Sequence, residues 1–254
     1  MLNINIIPCL NDNYSYIIQD KYTNTVGVID PSEFHPIDKF LEKKYKKLDF
    51  ILNTHHHFDH VGGNEELKKK YNSKVVGSEI DKNRIPGIDI LVNEESSFAF
   101  GKIIFNIIFT PGHTKGHINF YSKDEDVIFT GDTLFSLGCG KVFEGTYKQM
   151  FDSLNKIKKL PKKTKIFCGH EYTKKNFDFC LRNEKNNNFH EKKLIWINSR
   201  LDKGLPTIPV TLEEELKTNI FLRCDNSAIK DNLKMSSSSD ELVFEKLRNL
   251  KDDF

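Results

Sequence analysis

Thr54-His55-His56-His57-Phe58-Asp59-His60 follows directly on Asp49-Phe50-Ile51-Leu52-Asn53, an apolar run that reads as a buried strand. Such an abrupt change from apolar to imidazole and carboxylate puts polar chemistry at the end of a strand, on a loop positioned by the sheet. In extended backbone successive side chains point to opposite faces, so His55 and His57 converge while His56 turns away. Asp59 and His60 are neighbours and diverge unless the chain turns, and Gly62-Gly63 supplies the turn. The stretch therefore predicts two ion-binding positions, one facing His55 and His57, the other facing Asp59 and His60.

Three later segments end β-like runs in a potential ligand: FTPGHTKGH in His113, IFTGDTL in Asp132 and IFCGHEY in His170. A glycine precedes each of them (Gly112, Gly131, Gly169), which lets backbone approach the site closely. Imidazole and carboxylate without thiolate suit zinc, iron or manganese and argue against a closed structural zinc centre. A bridging carboxylate holds two cations about 3.5–4 Å apart, and Asp132 is the candidate. One histidine at a strand end is more often a hydrogen-bonded residue than a ligand, and His35 and His190, in polar surroundings, are read that way. Four segments in agreement are not. His117 is placed to hydrogen-bond a ligand from behind.

The rest of the first half reads as short strands at 2–8, 14–20, 25–30, 74–78, 102–109, 117–121 and 126–130, with another at 165–168. Helices are predicted from about Pro36 to Lys47, over NEELKKKY (64–71) and around 147–160. From about Glu171 the period of 3.6 takes over, so the tail is mostly helical. Its last helix is predicted to start in a capping box of Ser238 and Glu241, with Val243, Leu247, Leu250 and Phe254 on one face. The pattern is mixed α/β, with two β-rich halves in a domain over 1–173 and a mostly helical domain over 174–254.

The chain has 254 residues, 38% apolar and 29% charged, which fits a soluble globular protein with ample core-forming side chains. Lys+Arg 38 against Asp+Glu 36 leaves a net charge of +2, too little to imply a nucleic-acid or membrane partner. Five scattered cysteines without CxxC spacing predict neither a disulfide framework nor a thiolate zinc site. The first residues lack a basic n-region and no apolar run is long enough to span a bilayer, so a reducing, cytoplasmic location is expected.

THHHFDH, together with GH at 112–113, GD at 131–132 and GH at 169–170, resembles the metallo-β-lactamase superfamily. That resemblance implies an αββα sandwich with metals at one edge, to which the periodicity of the tail adds a C-terminal, mostly helical domain. LGCGKVFEGT (137–146), GHEYT (169–173), LPTIP (205–209), NIFLRCDN (219–226) and the terminal RNLKDDF are similar to the glyoxalase II, or hydroxyacylglutathione hydrolase, family. By position the resemblance implies His55, His57 and His113 on one metal, Asp59, His60 and His170 on the other, and Asp132 between them. It implies two divalent ions, zinc foremost with iron or manganese as the other choices. Lys141, Phe143, Tyr172, Arg248 and Lys251 fall where that family binds glutathione. The position of Phe143 usually carries an aromatic hydroxyl, so one hydrogen bond worth about 0.5–1.5 kcal/mol is missing.

The activity implied is hydrolysis of S-D-lactoylglutathione and other 2-hydroxyacylglutathiones to glutathione and the hydroxy acid, the chemistry of methylglyoxal detoxification. Hydroxide activated between the metals attacks the thioester, and Asp59 orients it while serving as a ligand. The expected partner is this small thioester, with no nucleic acid and no membrane. Two rivals differ from it in kind. A metal-dependent phosphodiesterase or nuclease would use the same ligands with a basic channel, for which only the lysines at 43–47 and 68–70 speak. A non-catalytic binding protein of the same fold should have lost ligands, and all seven are present.

Overall fold

The computed structural model describes residues 1–184 and 186–254. Two compact units make it up: Met1–Phe109 with Lys115–Gly131, and Thr110–Thr114 with Asp132–Phe254.

The first unit opens with β1 (Leu2–Cys9), β2 (Asn13–Asp20) and β3 (Thr25–Ile29), then α1 (Phe34–Lys44), β4 (Phe50–Leu52), α2 (Phe58–Val61), α3 (Asn64–Tyr71), β5 (Lys74–Ser78) and β6 (Ile88–Val92). These strands form one sheet in sequence order, antiparallel from β1 to β3 and parallel from β3 to β6. Strand β4 is central, with Leu52 level with Ile29 on one side and Val76 on the other, which is why it reads as an unbroken apolar run. Helices α1 and α3 cover one face of the sheet through Ile37, Leu41 and Leu67, packed with Ile17, Val28, Ile51 and Val75. The run continues with β7 (Ser97–Phe100), β8 (Ile103–Phe109), β9 (Ile118–Ser122) and β10 (Val127–Gly131), paired antiparallel in that order. Rings from these strands meet the first sheet, Phe98 on Phe50 at 5.1 Å and Phe129 on Tyr16 at 5.3 Å, so the core between the two sheets is largely aromatic.

In the second unit come β11 (Leu134–Phe135), β12 (Gly138–Cys139), α4 (Tyr147–Lys158), β13 (Lys165–Cys168), α5 (Thr173–Asn183), α6 (His190–Leu201), β14 (Val210–Thr211), α7 (Leu212–Thr218), α8 (Ser227–Asn232) and α9 (Asp240–Asp252). Capping boxes start α4 (Thr146 with Gln149) and α7 (Thr211 with Glu214). Phe179, Phe221 and Phe244 form its aromatic centre, the first two stacked at 5.8 Å.

Two expectations about the last helix are corrected. Its cap is Ser239, whose hydroxyl accepts from the Leu242 amide, rather than Ser238. The buried face is Val243, Phe244, Leu247 and Arg248, while Phe254 is 39% exposed. In a run of four serines the sequence leaves the cap open by a residue, and apolar spacing alone does not show that the helix turns inward on the side of Phe244 and Arg248, about 100° round from Val243 and Leu247. Strands β6, β7, β11, β12 and β14 were not anticipated, being short and weakly patterned.

All five cysteines are buried and unpaired with one another. Burial pushes the Cys9 and Cys139 thiols up to about 11 and those of Cys168 and Cys180 up to about 12, and raises Cys224 as well. Among the described residues no helix is long and apolar enough to cross a membrane.

Candidate metal and thioester site

In the first unit the ligand loop leaves β4 and turns into the short helix α2, so His57 is the last residue before the turn and Asp59 and His60 lie within it. One carboxylate organises the loop. Asp30, just after β3, accepts the Thr54 amide on Oδ1 at 2.8 Å and the Thr54 hydroxyl on Oδ2 at 2.7 Å. With its proton so committed, the Thr54 hydroxyl accepts from His55 Nδ1 at 3.0 Å, and the lone pair of His55 is left on Nε2. His60 Nδ1 likewise donates to Asp30 Oδ2 at 3.0 Å, which places the His60 lone pair on Nε2. Asp30, His55 and His60 are all buried, with their ligand-type atoms within 4.8 Å of one another, and Asp30 holds the two imidazoles from the outer side.

The outcome is a set of convergent donors. His55 Nε2 stands 3.2 Å from His57 Nδ1, and His60 Nε2 stands 3.6 Å from Asp59 Oδ2. Asn13 donates to Asp59 Oδ2 at 3.0 Å and to the Asp59 carbonyl at 3.1 Å, so the carboxylate is held although it is partly open to solvent. His56 does turn away, its Nδ1 lying 3.4 Å from Asp81 Oδ2. His117 stacks on His55 at 4.8 Å. Gly131, at φ +45°, passes so close that a Cβ there would stand 2.3 Å from the Thr54 hydroxyl and 2.8 Å from His117 Nε2.

In the second unit Asp132 Oδ2 lies 3.4 Å from His113 Nε2 and 3.4 Å from His170 Nε2. His113 Nδ1 donates to the Lys141 carbonyl at 2.8 Å, again leaving the lone pair on Nε2, toward Asp132. Gly140 is what lets the Lys141 segment come back so near: a Cβ on it would fall 1.9 Å from the Asp132 carbonyl oxygen. His170 carries the Tyr172 ring stacked on it at 4.7 Å and 6°. Between them Glu171 points the other way, accepting the Thr207 amide at 2.9 Å and the Thr207 hydroxyl at 2.7 Å. Donors sharing a tetrahedral ion at about 2.0–2.1 Å stand about 3.3 Å apart, close to these separations. Nitrogen and carboxylate donors with their lone pairs turned inward by outer hydrogen bonds fit divalent zinc-like ions.

The expected glutathione residues all fall in the second unit. Phe143 is 61% exposed, edge-on to His113, with Lys141 Nζ 5.7 Å from its ring. Lys251 Nζ donates to the Lys175 carbonyl at 3.3 Å and lies near the Phe179 and Phe254 rings. Burial, reinforced by the Arg248 charge, brings the Lys251 ammonium down to about 8. Arg248 is buried instead of presented: its guanidinium donates to the Cys139 carbonyl at 2.8 Å and to Asp252 Oδ1 at 2.9 Å. His190, expected in polar surroundings, is buried near Glu184, and desolvation lowers its basicity. Sequence reasoning missed Asp30, Asn13 and Asp81. Asp30 carries a usable sign, an acidic residue closing the β3 run, but nothing local ties it to His60.

A sandwich bearing paired His/Asp clusters at strand ends defines a metallo-β-lactamase superfamily protein, and the family model of that description matches residues 11–170. The Hydroxyacylglutathione hydrolase C-terminus model matches residues 171–254, and the chain belongs to the hydroxyacylglutathione hydrolase family. A protein of that name from Pelagibacter ubique (strain HTCC1062) is 54% identical over 253 residues, covering 100% of each chain. The cytoplasmic hydroxyacylglutathione hydrolase of Arabidopsis thaliana is 44% identical, over 97% of this chain and 96% of that one. Among solved structures, ETHE1 from Myxococcus xanthus superposes with a TM-score of 0.68 at 23% identity, over 98% of this chain and 91% of the other. TTHA1623 in a di-iron-bound form gives 0.61 at 22% identity, over 85% and 98%. At these identities both show the fold alone.

Proposed function

We propose that the protein hydrolyses S-2-hydroxyacylglutathiones, S-D-lactoylglutathione among them, to glutathione and the 2-hydroxy acid. The observation that carries this is the full-length match at 54% identity to a hydroxyacylglutathione hydrolase, in a chain that keeps all seven ligand-type residues. The proposed ligand sets are His55, His57 and His113 for one ion and Asp59, His60 and His170 for the other, with Asp132 shared. When bound, two divalent ions, zinc first and iron or manganese as alternatives, make water a nucleophile at neutral pH and polarise the carbonyl.

The side chains then do the following. Asp59, pinned by Asn13, accepts a hydrogen bond from the attacking water and fixes its direction of approach. Asp30 keeps the Nε2 lone pairs of His55 and His60 pointing inward, and the Lys141 carbonyl does so for His113. Lys251 and Lys141 supply cations for the carboxylates of glutathione, and Tyr172 and Phe143 supply aromatic surfaces beside it. Arg248 contributes from beneath, through Cys139 and the charge it adds beside Lys251.

A catalytic domain over 1–173 and a glutathione-binding domain over 174–254 belong to this proposal, supported by family models that meet at 170 and 171. So does a cytoplasmic location, supported by the name of the Arabidopsis relative. The test is steady-state hydrolysis of S-D-lactoylglutathione by protein whose metal content has been measured, beside His57→Ala and Lys251→Ala. Turnover lost in the first and KM raised in the second are expected. Two bound ions with phosphodiester turnover and no thioester turnover would overturn the proposal.

A further inference from the structure

The segment from Asp132 to Lys141 joins two residues of the proposed site through a hairpin that its own sequence does little to stabilise. Strands β11 and β12 pair Leu134 with Cys139 and Phe135 with Gly138, leaving Ser136-Leu137 as a two-residue turn. Such turns favour Asn, Asp or Gly, because they need positive φ. Here Leu137 adopts φ 60°, a conformation that a bulky residue resists. Something outside the hairpin has to hold it.

Buried polar side chains meet it: Asn176 of α5 donates to the Ser136 carbonyl at 3.0 Å, and Glu215 within α7 and Asn219 directly after that helix reach the rest of the hairpin. Glu215, with none of its surface exposed, accepts the Leu137 amide on Oε2 at 2.7 Å and the Ser136 hydroxyl on Oε1 at 3.1 Å. Asn219, equally buried, donates from Nδ2 to the Phe135 carbonyl at 3.2 Å, to the Gly138 carbonyl at 3.0 Å and to Glu215 Oε2 at 3.0 Å. Together the pair serves the turn and both strands. A buried carboxylate is costly to keep, and these hydrogen bonds are what it is kept for.

We infer that Glu215 and Asn219 are positioning residues, which fix the hairpin and through it set Asp132 for metal binding and Lys141 for substrate. The assignment of roles to Asp132 and Lys141 rests on the function proposed above; the hairpin's dependence on the pair does not.

The test uses the full-length, metal-loaded protein with Glu215→Gln, which keeps shape but turns one acceptor into a donor facing the Leu137 amide. Glu184→Gln is the matched control: Glu184 is a buried carboxylate of the same unit that pairs with Arg223, with no hydrogen bond to the hairpin. Hydrogen exchange over residues 134–141, metal release to a chelator, and KM against kcat are read for both. For Glu215→Gln we expect faster exchange in that segment, metal release faster by about tenfold, and a raised KM. Glu184→Gln is expected to lower thermal stability while leaving all three as in the wild type. Leu137→Gly, which removes the left-handed penalty, should shrink the effect of Glu215→Gln when the two are combined. If Glu215→Gln does not fold, Asn219→Ala carries the same readouts. Wild-type exchange and metal release in the hairpin-facing variant, or equal losses in Glu184→Gln, overturn the inference. Exchange and metal release need no substrate, so an absent thioesterase activity would not be mistaken for failure here.

Discussion

The loop at 54–60 and the three residues proposed as ligands at 113, 132 and 170 are held in place in opposite ways. The first set is contiguous, and one side chain, Asp30, orients two of its imidazoles. The second is dispersed over the chain and is held by backbone, by the Lys141 carbonyl on His113 and by side chains of the tail on the hairpin after Asp132. A contiguous motif thus concentrates its vulnerability in one outer residue, whereas a dispersed one spreads it over many contacts.

Removing a proposed ligand itself should erase the distinction. His57→Ala and His170→Ala are each expected to lower turnover by about 10²–10³ and to lower bound metal, measured by elemental analysis. The contrast is sharpened one layer out. Asp30→Asn is expected to weaken metal binding by about 10–100-fold in competition with a chelator. Lys141→Ala, which keeps the carbonyl that orients His113, should leave metal binding unchanged and raise KM only. Equal metal loss in the two would break the comparison.

Charge in the tail gives a smaller, pH-dependent effect. Because Lys251 loses its proton near 8 in the folded protein, glutathione inhibition should weaken as pH rises through that value, by up to about tenfold for one charge-assisted hydrogen bond. Lys251→Gln should flatten the profile. The sign for stability is the reverse. The folded state binds this proton less tightly than the unfolded chain, whose lysine holds it to 10.5, so the penalty is full below pH 8 and is relieved between 8 and 10.5. Unfolding in denaturant at pH 7 and pH 10, with and without Lys251→Gln, reads it. Smallest of all, Phe143→Tyr should improve substrate affinity by about 0.5–1.5 kcal/mol, seen in KM.

The same contrast explains what could be read from the sequence. His55, His57, Asp59 and His60 announce themselves because alternation and a glycine turn are local, and β4, β5 and β13 follow from the short apolar runs Phe50-Ile51-Leu52, Val75-Val76 and Ile166-Phe167-Cys168. Asp30 and Asn13 meet the loop only because β2, β3 and β4 lie side by side, and no window along the chain contains that fact. Strands β11, β12 and β14 are two residues long, below any periodicity, and exist through the side chains and strands they meet. The place of Arg248 follows from the family resemblance alone, and nothing local to the sequence shows that its guanidinium is buried against the Cys139 carbonyl.

The five inward-facing thiols bear on the company such an enzyme keeps. Its proposed product is itself a thiol, and glutathione in its oxidised form exchanges with protein thiolates. With cysteines pushed to about 11 or 12, fewer than about one in 10³ carries the thiolate near neutral pH, and none lies at the surface. Burial and raised basicity together disfavour mixed disulfides between these cysteines and oxidised glutathione.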